Sequence, residues 1–557
     1  MTLHKFIRRK LKAVFKKTKR LTINEDRDRN QHEYEQIGDL PDCILHHILS
    51  FMPTKEVVKT SVLSTRWKNL WASVPNIDLD DGLLWARVYG RPRPEVSSFV
   101  KFVERVLQLR DASNMEKFRL SCFVCNNASK IHSWISYAIM HNVQELDLCL
   151  LKVDASVFPL SMFDSTSFVI LKIRMDCVIE LSSHVSLPCL KTLHLSLVRF
   201  PNDDFTENLL SGCPFLEELV LIDCYLENLY NIVISSSTLK RVTIHDMSPF
   251  GTIDNINPSG CNINIDAENL TYFEYFGYLS NEILLNNTSS LFKACIQIST
   301  PNERETEVAW RAVGLLKQLQ SVVSLRVSNH IMESLIFEDN VVHNSPVFPN
   351  LRHLALTMET GNYPFGGVMD LLYLCPVLQS ICISEGFEHC MHVGESDSIW
   401  LLIPICMSSC LKIVTFKNFH ANDSEIYFLK CILKYACVLE RMDIRWSKTR
   451  LPDLKKQAEA RTELKCIEKS SIPCVVTVYI LIKAWEKRNK TSPISPLKLN
   501  PALISSLNRH ANFRQTFGKT LGHSAIKSLE RRVNDSLMHN TSTISDLCLV
   551  DFEDAET

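Results

Sequence analysis

The sequence predicts an α/β solenoid, a curved parallel sheet backed by outer helices, with a small module of three short helices ahead of it. Two observations lead there. The unit apolar-x-x-apolar-x-apolar recurs about a dozen times, at steps of about 21 to 33 residues. Before the first unit, residues 37–80 carry helical apolar spacing broken by prolines.

The chain begins with a basic arm, residues 1–36. Residues 1–20 hold nine Lys or Arg and no acid, so the remaining chain carries 52 basic against 62 acidic residues, a net charge of −10. Leu3, Phe6, Ile7, Leu11, Val14 and Phe15 stand at helical spacing with lysines and arginines between them. Three readings fit the arm: an import or nucleic-acid patch densest at Lys16 to Arg20, an interfacial helix on an anionic membrane, or a solvated disordered extension. The disordered extension suits the polar run Asn24 to Tyr34 that follows.

In residues 37–80, Pro41 opens the first helix, because proline has no N–H to lose at the first helical position. Ile44, Leu45, Ile48 and Leu49 make one apolar stripe, and Met52-Pro53 ends it, since a residue before proline is pushed out of the α region. A second helix carries Val57, Val58, Val62 and Leu63. A third carries Trp67, Leu70 and Trp71. About 40 residues bury too little surface to fold well alone. Some of these side chains must therefore face another body.

The Leu40-Pro41 opening, the Val62-Leu63-Ser64 turn and the run Arg66-Trp67-Lys68-Asn69-Leu70-Trp71 closely resemble the F-box family in its plant form. That resemblance implies docking on a Skp-type adaptor, which joins the chain to a cullin ubiquitin ligase. It implies a docking surface of Leu40, Pro41, Ile44, Leu45, Ile48, Leu49, Leu63, Trp67, Leu70 and Trp71.

The solenoid is expected over residues 95–404. Phe99, Phe102, Val103, Val106 and Leu107 mark a helix. Phe118, Leu120, Cys122 and Val124 alternate as a strand, Ile131, Trp134, Ile135, Ala138 and Ile139 mark a helix, and Leu146, Leu148 and Leu150 alternate again. The repeat then runs from Phe168/Leu171/Ile173 through Leu216/Leu219/Leu221 and Leu270/Phe273/Tyr275 to Leu439/Met442/Ile444. Its spacing is near the leucine-rich-repeat range. No unit can bury its apolar edge alone, whereas stacked units bury a continuous core. Short helices ending at Cys213-Pro214 and Cys375-Pro376 precede two of the strands.

Residues 405–479 resemble the FBD domain of plant F-box proteins at Leu411-Lys412, Phe428-Leu429, Leu439-Glu440-Arg441-Met442 and Ser471-Ile472-Pro473-Cys474-Val475-Val476. Physically they read as one more helix–strand unit with a closing helix and strand, a cap for the last apolar edge. Residues 480–557 form a tail, partly disordered, with a basic segment to Arg532, an acidic end from Asp546 and two Ser-Pro sites at Ser492 and Ser495.

Hydrophobic content is 46% and charged content 22%, with no uncharged apolar run of membrane-spanning length. The basic N-terminus lacks the apolar region of a secretory signal. Twenty scattered cysteines read as reduced core residues of a nuclear or cytoplasmic protein. Cys122 and Cys125 form a single CxxC with no second pair at zinc spacing. No phosphate loop, HExxH or Gly-x-Ser-x-Gly is present, and no cofactor is expected. Asn127, Asn287 and Asn422 lie in glycosylation-like sequons, which mean little without a secretory route.

Two functions from different classes fit these features. The first is a non-catalytic substrate-recognition subunit of a ligase, its repeats binding an unknown target protein. The second is a repeat scaffold that works outside ubiquitination. Neither calls for nucleic acid or a membrane span. Strand side chains alternate, so residues flanking the third-position gap point away from the core. This makes Glu145, Asp147, Lys172, Thr192, His194, Glu218, Arg241, Thr243, His353, Arg441 and Asp443 the candidate target surface. For most single members an ordinary solvated face is the expected reading.

Overall fold

The computed structural model describes residues 40–82, 96–123, 128–151, 157–179, 181, 185–226, 229–246, 260–299, 305–328, 330–331, 347–357, 365–384, 403–447, 454–465, 471 and 474–479. The basic arm, the tail after residue 480, Cys125 and the Asn127 sequon lie outside these residues.

The helical module begins with α1 (Asp42–Ser50), whose preceding Pro41 is extended. After Pro53, α2 (Thr54–Lys59) continues into a 3-10 turn at Thr60–Val62. α3 (Trp67–Leu70) runs into a second such turn at Trp71–Ser73. The module closes on its own small core of Leu40, Leu45, Ile48, Leu49, Met52, Val57, Trp67, Leu70 and Val74. Arg66 ties the start to the end, donating to the Leu40 carbonyl at 2.6 Å and pairing with Asp42 at 2.5 Å.

The last five residues of the predicted helical segment are not helical. They form β1 (Asn76–Asp80), the first strand of the solenoid. Ile77 and Leu79 alternate with polar residues there, a period-2 pattern within a segment read for helices. The seam is hydrogen-bonded across. Asp78 N–H donates to Thr54 Oγ1 at 2.7 Å, and Asn76 Nδ2 donates to the Ser50 carbonyl at 3.3 Å. Buried Arg110 donates to the carbonyls of Val74, Ser113 and Asn114.

Among the described residues, fifteen strands form one parallel sheet. After β1 come β2 (Lys117–Phe123), β3 (Glu145–Leu151), β4 (Ile170–Arg174), β5 (Thr192–Ser196), β6 (Glu218–Ile222) and β8 (Arg241–Asp246). Next are β10 (Tyr272–Gly277), β12 (Lys293–Ile298), β13 (Ser324–Ser328), β14 (His353–Thr357), β15 (Ser380–Ile383), β16 (Ile413–Phe419), β17 (Arg441–Trp446) and β18 (Val475–Tyr479). The register stacks the repeat's apolar positions in two rows. One runs from Ile77 through Leu146, Leu193, Leu219, Phe273 and Leu354 to Met442, the other from Leu79 through Leu148, Leu195, Tyr275 and Leu356 to Ile444. Every one is buried in a single continuous core.

A second backbone device repeats at nearly every step. Just before each strand, two successive N–H groups donate to one carbonyl of the preceding unit. Glu217 and Glu218 donate to Lys191, Lys240 and Arg241 to Glu217, and Glu440 and Arg441 to Lys412. The donated groups would otherwise be unpaired where the chain turns into the sheet.

The core side is covered by α4 (Val96–Leu109), α5 (Ala128–Met140), α6 (Phe205–Ser211), α7 (Glu305–Gln318), α8 (Phe365–Tyr373), α9 (Ile405–Ser409), α10 (Asp423–Tyr435) and α11 (Leu454–Lys465). In the middle, strands replace helices. β7 (Asn231–Ser235), β9 (Asn262–Asp266) and β11 (Glu282–Asn286) form a three-stranded parallel sheet. Along NIVIS, NINID and EILLN burial alternates, taking in Ile232, Ile234, Ile263, Ile265, Ile283 and Leu285. Helical spacing would turn the two residues of each pair to different faces.

Candidate functional site: two protein-interaction surfaces

The first surface lies on the helical module. Six of the ten residues singled out there, Leu40, Leu45, Ile48, Leu49, Trp67 and Leu70, are turned into the module's own core. Ile44, Leu63 and Trp71 are half-buried against it, and Pro41 is exposed. A helical stripe shows which residues share a face, but three short helices can turn those faces onto one another. Phe51 and Val62, 65% and 79% exposed, are large apolar side chains that the module leaves in solvent. Their signal was their place at helix ends, just outside the stripe.

The second surface is the open face of the sheet, opposite the helices. All eleven residues singled out for it do lie there, in rows set by the register. One row reads Glu145, Ile170, Thr192, Glu218, Arg241, and the next Asp147, Lys172, His194, Val220, Thr243. Thr243 and Asp443 are buried, and the other nine are half-buried.

The offset that selects Glu218 and Arg241, two residues after the leading leucine, also selects Tyr272 and Lys293, and the offset of four that selects Thr243 also selects Glu274 and, after Val322, Arg326. Tyr272 lies under two cations, with the Arg241 guanidinium 4.3 Å and the Lys293 ammonium 5.2 Å from its ring centre. Its hydroxyl donates to Glu274 at 2.5 Å, and His245 stands 3.7 Å from the same carboxylate. Burial opposes ionisation of Glu274. His245, Tyr272 and Arg326 outweigh it and hold the carboxyl below its ordinary value.

Over β1 to β4 charges alternate strand by strand and satisfy one another. Arg119 faces Asp78 on one side and Asp147 on the other, Lys117 faces Glu145, and Lys172 faces Asp147. Arg119 lies 3.1 Å from Asp78 and 3.5 Å from Asp147, and Glu145 accepts from Lys117 at 2.8 Å and Lys172 at 3.3 Å. Burial pushes the Glu145 carboxyl up, but Lys117 and Lys172 together bring it below its ordinary value. A target binding here by charge must first break these pairs.

Over β14 and β15 the described face is uncharged, with His353, Ala355, Ser380 and Cys382 as its floor; on β16 Ile413 and Thr415 continue the two rows, with Lys417 beyond them. His353 bonds Ser380 Oγ through Nδ1 at 2.8 Å. Burial, and then Arg352, keep its pKa below the ordinary value, so the ring is neutral at neutral pH.

Among the described residues no three His, Cys, Asp or Glu side chains converge to hold a metal, and no helix is long and apolar enough to cross a membrane. Cys122, the described half of the CxxC, is buried and its thiol is pushed well above its ordinary range by that burial.

Comparison with known proteins gives two family matches. The F-box domain model matches residues 37–78. The model described as the At1g61320/AtMIF1 LRR domain matches residues 106–482. The chain is 31% identical over 442 residues to the putative F-box/FBD/LRR-repeat protein At3g59240 of Arabidopsis thaliana, which covers 74% of this chain and 83% of that protein. It is 31% identical over 479 residues to the F-box/LRR-repeat protein At3g59210 of the same plant, covering 79% and 94%. It is also 32% identical over 443 residues to the F-box protein At3g59000, covering 74% and 86%.

Proposed function

The chain belongs to the F-box/leucine-rich-repeat family, and from that premise we propose that it is the substrate-recognition subunit of a Skp–cullin–F-box ubiquitin ligase. The F-box docks on a Skp-type adaptor, which links it to the cullin. The open face of the repeats holds a target protein. The chain needs no catalytic residue in this role, because holding a target beside the ligase converts transfer into an effectively intramolecular step. The names of relatives carry FBD as well, in keeping with residues 405–479 as the cap of the solenoid. The many free cysteines among the described residues suit a reducing compartment, the nucleus or cytoplasm.

The observation that carries the docking half is the F-box itself: a closed small core with Phe51 and Val62 left in solvent. Co-expression with a Skp-type adaptor should yield a stable complex. Phe51→Asp and Val62→Asp should abolish capture while changing stability by no more than about 0.5 kcal/mol, as surface substitutions do. Undiminished capture of both variants would move docking off this face. A wild-type chain that no adaptor captures is a repeat scaffold working outside the ligase.

A further inference from the structure

Among the described residues the F-box and the solenoid keep separate apolar cores. Relative motion is the default for two bodies that no large apolar interface joins. Here a later turn of the chain grips the exit of the F-box. That turn, residues 110–117, runs from the end of α4 into β2, and each of the four exit residues 72–75 bonds to it. Asp111 N–H donates to the Ala72 carbonyl at 3.3 Å, and Ser73 Oγ donates to Asp111 Oδ2 at 2.5 Å. Arg110 Nη2 donates to the Val74 carbonyl at 3.4 Å. Glu116 and Lys117 N–H both donate to the Pro75 carbonyl, at 3.0 and 3.4 Å. Asn76 and Asp78 then bond back to Ser50 and Thr54, so the joint is tied from both sides.

Arg110 gives the gripping turn its shape. Its side chain is buried, and Nη1 donates to the Ser113 carbonyl at 2.7 Å and to the Asp111 carbonyl at 3.3 Å. Nη2 donates to the Asn114 carbonyl at 3.1 Å as well as to Val74. One planar guanidinium thus closes the turn on itself and on the F-box exit together. A lysine ammonium is a single point charge and lacks that fork.

We infer that Arg110 is a positioning residue: through the turn 110–117 it fixes the angle between the F-box and the open face of the sheet, and so fixes where a held target stands relative to the ligase. The inference rests on the proposal that the F-box docks on a ligase adaptor. Holding a target speeds transfer only when the reacting groups are held in reach of each other. Hydrogen bonds suit that task, because each is directional, whereas apolar burial is not. Arg110 touches neither adaptor nor target in this role.

The test uses the full chain, free and bound to a Skp-type adaptor. Spin labels on unnatural residues replace Lys55 on α2 and Glu207 on α6, both exposed. The wild type should give one narrow distribution of label distances. Arg110→Met keeps much of the stem and removes the donors, and should broaden that distribution at least about twofold. Arg110→Lys should broaden it less, and Ser73→Ala should add to the effect of either. Lys101→Gln, at an exposed position on α4, should leave it unchanged. Melting curves select the variants that are folded, and adaptor capture should be equal in all of them. Should Arg110→Met not fold, Ser73→Ala with Arg110→Lys carries the same test. On the reconstituted cullin ligase, mass spectrometry maps which lysines of the chain acquire ubiquitin. The wild type should use a small set, and the broadened variants a wider one. A broad distribution in the wild type, a narrow one in folded Arg110→Met, or an unchanged set of lysines in a variant whose distances have spread would overturn the inference. A wild-type chain that no adaptor captures would sink the ligase proposal, while the distances in the free chain would still decide whether Arg110 fixes the angle.

Discussion

Leu193 and His194 are neighbours in sequence with opposite fates. Leu193 lies in the first core row and is 1% exposed, whereas His194 lies on the open face with Nε2 3.0 Å from Ser196 Oγ. Leu193→Ala should cost about 2–5 kcal/mol, because the cavity cannot collapse between two stacked strands. His194→Ala should cost no more than about 1 kcal/mol, the net worth of one hydrogen bond. Thermal melting of the two variants measures the difference, and equal shifts would contradict the strand register. The period-2 pattern makes this contrast legible in the sequence. It does not reveal that Glu218 is spoken for by Arg241, 3.5 Å away across the strand pair. Glu218 and Arg241 are half-buried and in contact, so reversing either charge changes the pairing before it changes recognition.

At the scale of elements, the outer three-stranded sheet brings a hazard that helices do not. A strand at a sheet edge presents unpaired peptide groups that can recruit another chain. Both edges are covered here. Thr206 Oγ1, on α6, donates to the Val233 carbonyl of β7 at 2.9 Å. On the other side Gln318, at the end of α7, accepts from Leu285 N–H at 2.5 Å and donates to the Ile283 carbonyl at 3.2 Å. Its carboxamide thus stands in for the peptide group of a neighbouring parallel strand. Gln318→Ala should cost about 1–3 kcal/mol, since it orphans two backbone groups at once. It should also speed hydrogen exchange at the Leu285 amide. Gln318→Glu should not restore that protection, because a carboxylate accepts but cannot donate to Ile283. Unchanged exchange at Leu285 in Gln318→Ala would show the edge is closed by something else. The sequence predicts outer helices behind the sheet and does not single out this strand layer, whose inward residues recur at every second position.

For the whole molecule, the ion-paired face ties stability to pH. Glu145 and Glu274 have carboxyls held below their ordinary value of 4.5 in the folded chain. Each therefore contributes stability that is fully present above that value and is lost as pH falls through the lower folded pKa. His353, depressed below 6.5, acts in the same direction: protonation as pH drops below its ordinary value disfavours the fold. Melting temperature should fall as pH drops from 7 toward 4. In Glu145→Gln the part of that fall near pH 4 should be shallower, with a lower plateau at neutral pH. A Glu145→Gln profile parallel to wild type would show that Lys117 and Lys172 stabilise nothing through it.

The sequence by itself determined the solenoid, its core rows and the F-box helices. Those features follow from periodicity and from proline, which act on neighbouring residues whatever the rest of the chain does. It also determined that Glu145 through Asp443 share one face, because strand alternation is a local rule and the parallel register is nearly uniform. Only the tertiary structure decided which apolar F-box residues close on each other and which stay in solvent, since that depends on how three helices cross. It alone decided that charges of β1 to β4 pair with one another across the strands. Those partners lie 27 to 41 residues apart in the chain, and only the stacking of strands brings them within reach.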